Sequence, residues 1–453
     1  MISDTLPRDL KRYRAWAVAQ EIKAGVRDSA FADLIARIER APAHQAPPAS
    51  LFVDGARAFH AVLRGIRNAR EEILLETYIM RDDRIGIAVQ QALIAAASRG
   101  VRVYVMADAV GSIATRDEFW ETLERHGVQV RHFHRLWHMP FEALRRDHRK
   151  IIVIDRTSAF TGGMNIGVEY GSSIRNSGNA WRDTFMRVEG SVALELAAVF
   201  AEGWDRAEGP PLPGLEYVSW SAGVVVPPLS SIRAYSAKAL RARLNRRAGL
   251  RRDRRRGRRV VRSATTETPE SGSIVVLDAR PGRGQREMLA VLAALVGGAR
   301  QRLWITTPYF APPTRALRLV KRAARSGVDV RLLVPGPMAD VPMARHAAHG
   351  VYSALLKSGV RVFEYQTATL HSKTVVIDSY ASLVGSSNLD FRSLWLNAEC
   401  NLLMFDETSG HGLEEAFLQD LKASVEITAE HWATRTFGHR LLDMAARAMR
   451  WAL

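Results

Sequence analysis

The chain carries one spaced set of polar residues twice, and this limits its fold more than any other feature. The first copy runs Asp147-His148-Arg149-Lys150, then Asp155, then Gly162-Gly163-Met164-Asn165. The second runs Leu370-His371-Ser372-Lys373, then Asp378, then Gly385-Ser386-Ser387-Asn388. Both read His-x-Lys-x4-Asp-x6-Gly-[Gly/Ser]-x-Asn with identical offsets. One His-x-Lys-x4-Asp match arises by chance in about one such chain in a hundred, and two matches extended to the same Asn are far rarer. The surroundings repeat as well. Ile73 to Ile79 reads as a buried strand, Gly86 to Arg99 as a helix and Gly100 to Met106 as the next strand. Leu303 to Phe310, Thr314 to Ser326 and Gly327 to Val334 follow the same plan, and each half adds a Gly-Val-x-Val strand, at Gly127 and Gly359. Strands alternating with helices of this length predict α/β layers with a largely parallel sheet.

The motif has a chemical logic. Two residues apart on a strand, His and Lys share a face. The apolar run after each Lys (Ile151 to Ile154; Thr374 to Ile377) buries the strand, so the pair emerges at its edge. Glycines after the turn permit close backbone approach to an anion, and Asn adds amide donors. Two such units face to face would surround one phosphate with two His, two Lys and two Asn. One imidazole can then attack phosphorus while the other protonates the leaving oxygen, and the ammoniums stabilise the non-bridging oxygens. No metal or other cofactor is required. Lysine is scarce in this Arg-rich chain, and two of its eight lysines stand at the motif position. A compact ammonium reaches a phosphoryl oxygen as a point charge, which a planar guanidinium does not.

The duplicated motif resembles that of the phospholipase D superfamily over roughly residues 50–205 and 274–425. Thr306 to Pro312, Trp181-Arg-Asp-Thr184 leading to Gly190, and Asn397-Ala-Glu399 are similar, more specifically, to bacterial cardiolipin synthases. The resemblance implies two α/β/α sandwich halves related by a pseudo-two-fold, with a single active site at their interface. It also implies a covalent phosphatidyl-histidine intermediate. By that likeness the catalytic set is His148, Lys150, Asp155, His371, Lys373 and Asp378, the two aspartates being more structural than catalytic. Asn165, Asn388, Ser386 and Gly163 would bind phosphate, with Gly163 standing where the other half has Ser386. Glu399 would orient His371 and Asp183 would orient His148. His148 is the expected nucleophile and His371 the general acid, then base.

The expected reaction is phosphatidyl transfer between two phosphatidylglycerol molecules, giving cardiolipin and glycerol. The same residues with water as acceptor would make a phospholipase or a nuclease. A non-catalytic protein binding nucleic acid or anionic membranes is the alternative from another class, though pure binding needs no nucleophile. Expected partners are phosphatidylglycerol and an anionic membrane surface, with phosphatidylethanolamine as another acceptor and nucleic acid not expected.

Composition bears on the setting. The net charge is +17, and most of the excess comes from 12 arginines between Arg241 and Arg262 with Asp253 the one acid among them. Such a run attracts polyanions, lipid headgroups included, or is a solvated linker. Cys400 stands alone, which excludes an intrachain disulfide framework. No run of about 18 apolar residues occurs, which argues against a membrane-crossing helix; the apolar stretch Met288 to Ala299 reads as a buried helix. The likeness is thus to the membrane-peripheral class without transmembrane helices, at the cytoplasmic face of an inner membrane. Residues 1–49 read as a helical segment and linker, 206–273 as an Arg-rich connector and 426–453 as a C-terminal amphipathic helix. Leu136 to Phe141 is unusually apolar for a loop and could touch lipid or pack on the core. His126, His132, His134 and His138 could suggest a metal but lack a supporting carboxylate or cysteine cluster.

Overall fold

A computed structural model describes residues 13–133, 145–172, 180–215, 272–280 and 284–436, together with Gly438, Leu442, Asp443 and Ala446. Residues 1–212 and 271–453 form one compact unit and 213–270 another. The Arg-rich run, the loop Leu136 to Phe141, His134 and His138 lie outside the described residues, as does most of the expected C-terminal helix.

The strands of the first unit are β1 (His44–Ala46), β2 (Ser50–Phe52), β3 (Glu72–Thr77), β4 (Arg102–Asp108), β5 (Gln129–Phe133), β6 (Ile151–Ile154), β7 (Ser158–Gly162) and β8 (Phe185–Glu189). They continue with β9 (Gly272–Ala279), β10 (Arg302–Thr306), β11 (Asp329–Pro335), β12 (Arg361–Tyr365), β13 (Thr374–Ile377), β14 (Ala381–Gly385), β15 (Glu399–Phe405) and β16 (Ser424–Ile427). One sheet has the order β2-β8-β7-β6-β3-β4-β5 and the other β1-β9-β15-β14-β13-β10-β11-β12-β16. Seven strands of the second sheet repeat the first sheet's order, and β1 and β16 add its two edges. The repeat read in the sequence is therefore a repeat of topology.

The sheets are mixed rather than largely parallel. Only β3-β4-β5 and β10-β11-β12 pair in parallel. These are the places where a helix (Arg84–Ser98, Asp117–Arg125, Thr314–Arg325, Pro342–Leu356) supplies a crossover. The motif strands β6 and β13 instead turn straight back into β7 and β14. Asp155 and Arg156 (φ 49° and 52°), and Asp378 and Ser379 (φ 52° and 55°), hold the left-handed conformations of a tight hairpin turn. The turns contain no glycine, so they carry no hairpin signal in the sequence.

The apolar runs bury as expected: every residue of β6 and β13 is buried. Each fully buried Ile or Val there contributes about 1.5–3 kcal/mol relative to exposure. The helix Gly284–Gly298 is buried along its apolar length because the N-terminal helices Tyr13–Glu21 and Ser29–Glu39 cover it. The expected N-terminal linker is not a passive one. Its residues His44–Ala46 pair with β9 of the second half, and the His44 ring contacts Ser191 and Glu195 on a helix of the first. The boundary at 426 also moves, because β16 continues to Ile427 as an antiparallel edge on β12 and a short helix, Ala429–Ala433, follows. Beyond it, Asp443 and Ala446 are buried against the second half, Ala446 beside Ala311 and Ala347.

Candidate active site

The two motif strands present their polar ends at the junction of the halves. Ahead of β6, Asp147 bridges in parallel to Ala398; ahead of β13, Leu370 bridges in parallel to Arg182. His148 N–H donates to Ala398 O at 2.9 Å, and His371 N–H donates to Arg182 O at 2.8 Å. Each motif is thus stitched to the strand that enters the other half's sheet, a reciprocal arrangement that fits a pseudo-two-fold.

The side chains cross in the same way. His148 Nδ1 lies 3.0 Å from Glu399 Oε2, and His371 Nδ1 lies 2.7 Å from Asp183 Oδ2. The expected pairing is therefore reversed: Glu399 holds His148 and Asp183 holds His371. The reason is geometric. Asp183 follows Arg182, which is hydrogen-bonded beside His371, and Glu399 follows Ala398, which is hydrogen-bonded beside His148. Spacing along the chain does not reveal which histidine a carboxylate from the other half will meet. Each carboxylate fixes a proton on Nδ1 of its ring and leaves Nε2 for chemistry.

Both rings are nearly enclosed, with His148 8% and His371 4% exposed. Tyr78 packs edge-on against His148, while Tyr170, Trp181 and Tyr309 surround His371. Lys150 Nζ donates to His148 O at 2.6 Å, and Lys373 Nζ donates to His371 O. Lys373 Nζ also lies 2.8 and 3.1 Å from the two nitrogens of the His371 ring. The electrostatics follow from burial. The His148 imidazole is pushed down to about 4 by burial, with Lys150 and Lys373 adding to the shift and Glu399 opposing it. Burial and then Lys373 lower His371, against Asp183. Burial lowers the ammoniums to about 7 at Lys150 and about 8 at Lys373, each against nearby carboxylates. Burial works to raise the Glu399 carboxyl, but His148, Lys150 and Ser386 outweigh it and hold it below its ordinary value. Burial thus weakens the hold of both imidazoles and both ammoniums on their protons, and a bound anion would oppose that effect.

The residue between His and Lys points the other way, as strand alternation requires. Arg149, 1% exposed, reaches Asp278 on β9 at 2.9 Å and Glu76 on β3 at 3.4 Å. Its counterpart Ser372 shares a 2.6 Å hydrogen bond with Thr184. The Arg149–Asp278 and Ser372–Thr184 contacts cross between the halves.

The remaining expected residues divide. Asp155 and Asp378 do not join the reacting groups. They lie at the far ends of β6 and β13, seven residues beyond the histidines or about 20 Å along a strand. Asp155 accepts from the N–H groups of Arg70, Glu71 and Glu72 at 2.8–3.2 Å, and Asp378 from those of Arg300, Gln301 and Arg302 at 2.8 Å. They tie the hairpin turns to the starts of β3 and β10, so their place with the catalytic set is corrected. Ser386 does not offer its hydroxyl to an anion, since Oγ donates to Glu399 Oε2 at 2.5 Å and accepts from Cys400 N–H at 3.0 Å. A Cβ on Gly163 would meet Asp183 Oδ1 at 2.1 Å, so the glycine makes room for that carboxylate. The Gly163/Ser386 asymmetry thus matches the difference in length between Asp183 and Glu399. Asn165 Oδ1 accepts from Ile79 N–H at 3.1 Å, and Asn388 is buried with Oδ1 lacking a hydrogen-bond partner. His126 Nδ1 bonds to Thr122 O and His132 packs against Trp120, so these two histidines do not converge on a common point.

Sequence reasoning missed several supports. Arg182 grips Asp420 of the second half through two contacts of 2.8 Å and donates to Asp183 O at 2.7 Å, so it seats the carboxylate that holds His371. Tyr309 bonds to Asp340 beside that ring. The aromatic residues follow or adjoin the repeated strands, but Tyr78 aligns with Pro308, so the repeat did not flag them.

Comparison with known proteins agrees with this geometry. The family model described as cardiolipin synthase, PLD-like domain, matches residues 62–202 and 292–421, one stretch in each half. The chain belongs to this family. Cardiolipin synthase A of Pseudomonas putida is 32% identical over 88% of this chain and 73% of its own length. Cardiolipin synthase 1 of Bacillus anthracis is 27% identical over 97% of this chain and 79% of its own. Among solved structures, the phosphatidylserine synthase of Haemophilus influenzae aligns over 94% of this chain and all of its own with a TM-score of 0.64 at 16% identity, a likeness of fold. The chain is thus a phospholipase D-superfamily transferase of the cardiolipin synthase family, with the two-sheet fold that its repeats imply.

Proposed function

We propose that this cardiolipin synthase relative transfers a phosphatidyl group from one phosphatidylglycerol to the hydroxyl of another. His148 Nε2 attacks phosphorus and the bond to the glycerol oxygen breaks. His371 gives its proton to that oxygen, and glycerol leaves. The hydroxyl of a second phosphatidylglycerol then loses its proton to His371 and attacks phosphorus; the P–N bond breaks, cardiolipin forms and His148 is restored. Lys150 and Lys373, with the amides of Asn165 and Asn388, hold the non-bridging oxygens. Binding an anionic phosphodiester raises the proton affinity of His371 and of both lysines, which supplies the proton that the leaving group needs.

The observation that carries this reading is the crossed pair of imidazoles, each held by a carboxylate of the other half and each nearly closed to solvent. Closure favours an alcohol brought in by a lipid over bulk water as the acceptor. The proposed substrates and the +17 charge support a peripheral position at an anionic membrane surface, and we assign it to the cytoplasmic side. Among the described residues no helix is long and apolar enough to cross a membrane.

The test is product analysis by mass spectrometry after incubation with phosphatidylglycerol vesicles, beside His148→Ala and His371→Ala. Cardiolipin and glycerol from the unmodified protein alone support the proposal. Phosphatidic acid would mean that water is the acceptor, and cardiolipin made with phosphatidylethanolamine only would change the partner lipid.

A further inference from the structure

A second cluster of ionisable groups lies in the second half and takes no part in the chemistry above. The helix Pro342–Leu356 carries His346 and His349 three residues apart, hence on one face. The buried Asp443 reaches them from the C-terminal segment. His346 Nδ1 lies 3.0 Å and His349 Nδ1 3.4 Å from the same oxygen, Asp443 Oδ1. One ligand atom from each of the three residues fits within a 4.8 Å span.

The hydrogen bonds around this trio are those of a ligand set. Glu364 Oε1 lies 2.9 Å from His349 Nε2 and is itself held by Tyr352 Oη at 3.2 Å, while Arg345 occupies Glu364 Oε2 at 2.8 Å. A carboxylate on Nε2 places the proton of a neutral ring there and turns the Nδ1 lone pair toward Asp443. Two acceptors, Nδ1 and Oδ1, then face each other in a buried site beside Trp432, and a cation between them resolves the conflict. Arg435 meanwhile takes the other oxygen, Asp443 Oδ2, at 2.5 Å and leaves Oδ1 directed at the imidazoles. Tetrahedral coordination with bonds of about 2.0–2.1 Å sets neighbouring ligand atoms about 3.3–3.4 Å apart. The two imidazole–carboxylate distances, 3.0 and 3.4 Å, are close to this spacing, and all three ligand atoms lie within 4.8 Å of one another.

We propose that His346, His349 and Asp443 form a site for one divalent transition-metal ion of the zinc class, which pins the C-terminal segment to the helix Pro342–Leu356. Two imidazoles and one carboxylate suit such an ion, whereas magnesium and calcium prefer all-oxygen sets. Glu364 and Arg435 are its outer partners.

The experiment uses the full chain, stripped with a chelator and titrated with Co²⁺ while its visible absorption is followed, then back-titrated with Zn²⁺. One equivalent with tetrahedral absorption, displaced by zinc, is expected. His346→Ala/His349→Ala should weaken binding at least about 100-fold, and Glu364→Gln, which removes no ligand, about 10- to 100-fold. His148→Ala should keep the equivalent, which separates this site from the active-site imidazole. Asp443→Ala, on the C-terminal segment, tests the third ligand should the double variant fold poorly by circular dichroism. Zinc should also slow proteolysis of that segment in the unmodified protein and not in the variants. Absence of cobalt binding, or equal binding by the double and Asp443→Ala variants, would overturn the proposal, since the trio would then be a proton-bridged contact.

Discussion

Replacing Glu399 by Gln tests the crossed pairing directly. Glu399 accepts from His148 Nδ1 at 3.0 Å and from Ser386 Oγ at 2.5 Å, so the isosteric amide keeps the shape and loses the charge. Loss of a charge-assisted hydrogen bond costs about 1.5–3 kcal/mol, which alone slows the step about 10- to 150-fold. The amide can also turn its NH2 toward Nδ1 and move the ring proton to Nε2, the nitrogen that must attack. A carboxylate-to-amide change that inverts the tautomer in a Ser-His-Asp triad costs about 10⁴-fold, so the loss in kcat should fall between about 10² and 10⁴. The assay is single-turnover reaction with radiolabelled phosphatidylglycerol, quenched and scored for label bound to protein and for free product. Glu399→Gln should slow the labelling of His148. Asp183→Asn disturbs His371 instead and should slow both proton transfers, the turnover of any labelled protein included. The reverse assignment, with Asp183→Asn sparing His371-dependent turnover and delaying attack by His148, would refute the crossed pairing. A loss below about 5-fold for Glu399→Gln would refute the idea that its charge orients the nucleophile.

Other consequences concern charge and packing. Lys150 and Lys373 have folded values of about 7 and about 8 against an ordinary 10.5, so between those limits the unfolded chain holds more protons. Stability of the substrate-free protein should therefore rise with pH from about 7 to 10, in thermal melts, while affinity for an anionic phosphodiester falls as the ammoniums are lost. Arg149→Ala leaves Glu76 buried without its cation and Asp278 with Arg280 alone, and should cost about 3–5 kcal/mol, read in denaturant melts, with little change in KM for the folded fraction. Asp155→Ala removes the acceptor of three backbone N–H groups and should lower Tm while kcat, measured well below the transition, changes less than about 3-fold. An equal effect on kcat to that of Lys150→Ala would return Asp155 to the reacting set.

Much of the fold was legible because it is written twice. Apolar runs such as Ile151 to Ile154 and the offsets His148 to Asn165 and His371 to Asn388 repeat with strand and helix spacing, so layers, halves and paired motifs could be read. Strand direction could not. The hairpin turns use Asp155-Arg156 and Asp378-Ser379, whose left-handed backbone is held by tertiary bonds to the strand starts rather than signalled by glycine. The residues that support the site were also hidden. Arg182 and Asp420 lie 238 positions apart and meet only when the halves close. Ser386 and Gly163 looked like anion-binding positions because their type suits that task, whereas their neighbours set their use. One, through its hydroxyl, braces Glu399, and the other, lacking a side chain, makes room for Asp183.

The reciprocity of these contacts explains why the duplication is retained within one chain. A single half contains a histidine and a lysine but not the carboxylate that orients its own ring. His148 depends on Glu399 and His371 on Asp183, and the peptide bonds that carry those carboxylates are hydrogen-bonded to the opposite motif. Closing the halves therefore assembles both rings in one step, and either ring out of place leaves a charged carboxylate buried without its partner, which is costly. The same contacts hold the two motifs in register, Arg149 with Asp278 on one side and Ser372 with Thr184 on the other. Yet among the described residues the surroundings of the two rings differ: one aromatic side chain, Tyr78, packs against His148, while three enclose His371. A symmetric frame thus presents two chemically distinct imidazoles, and in the proposed reaction this difference would let one bond to phosphorus while the other moves the proton.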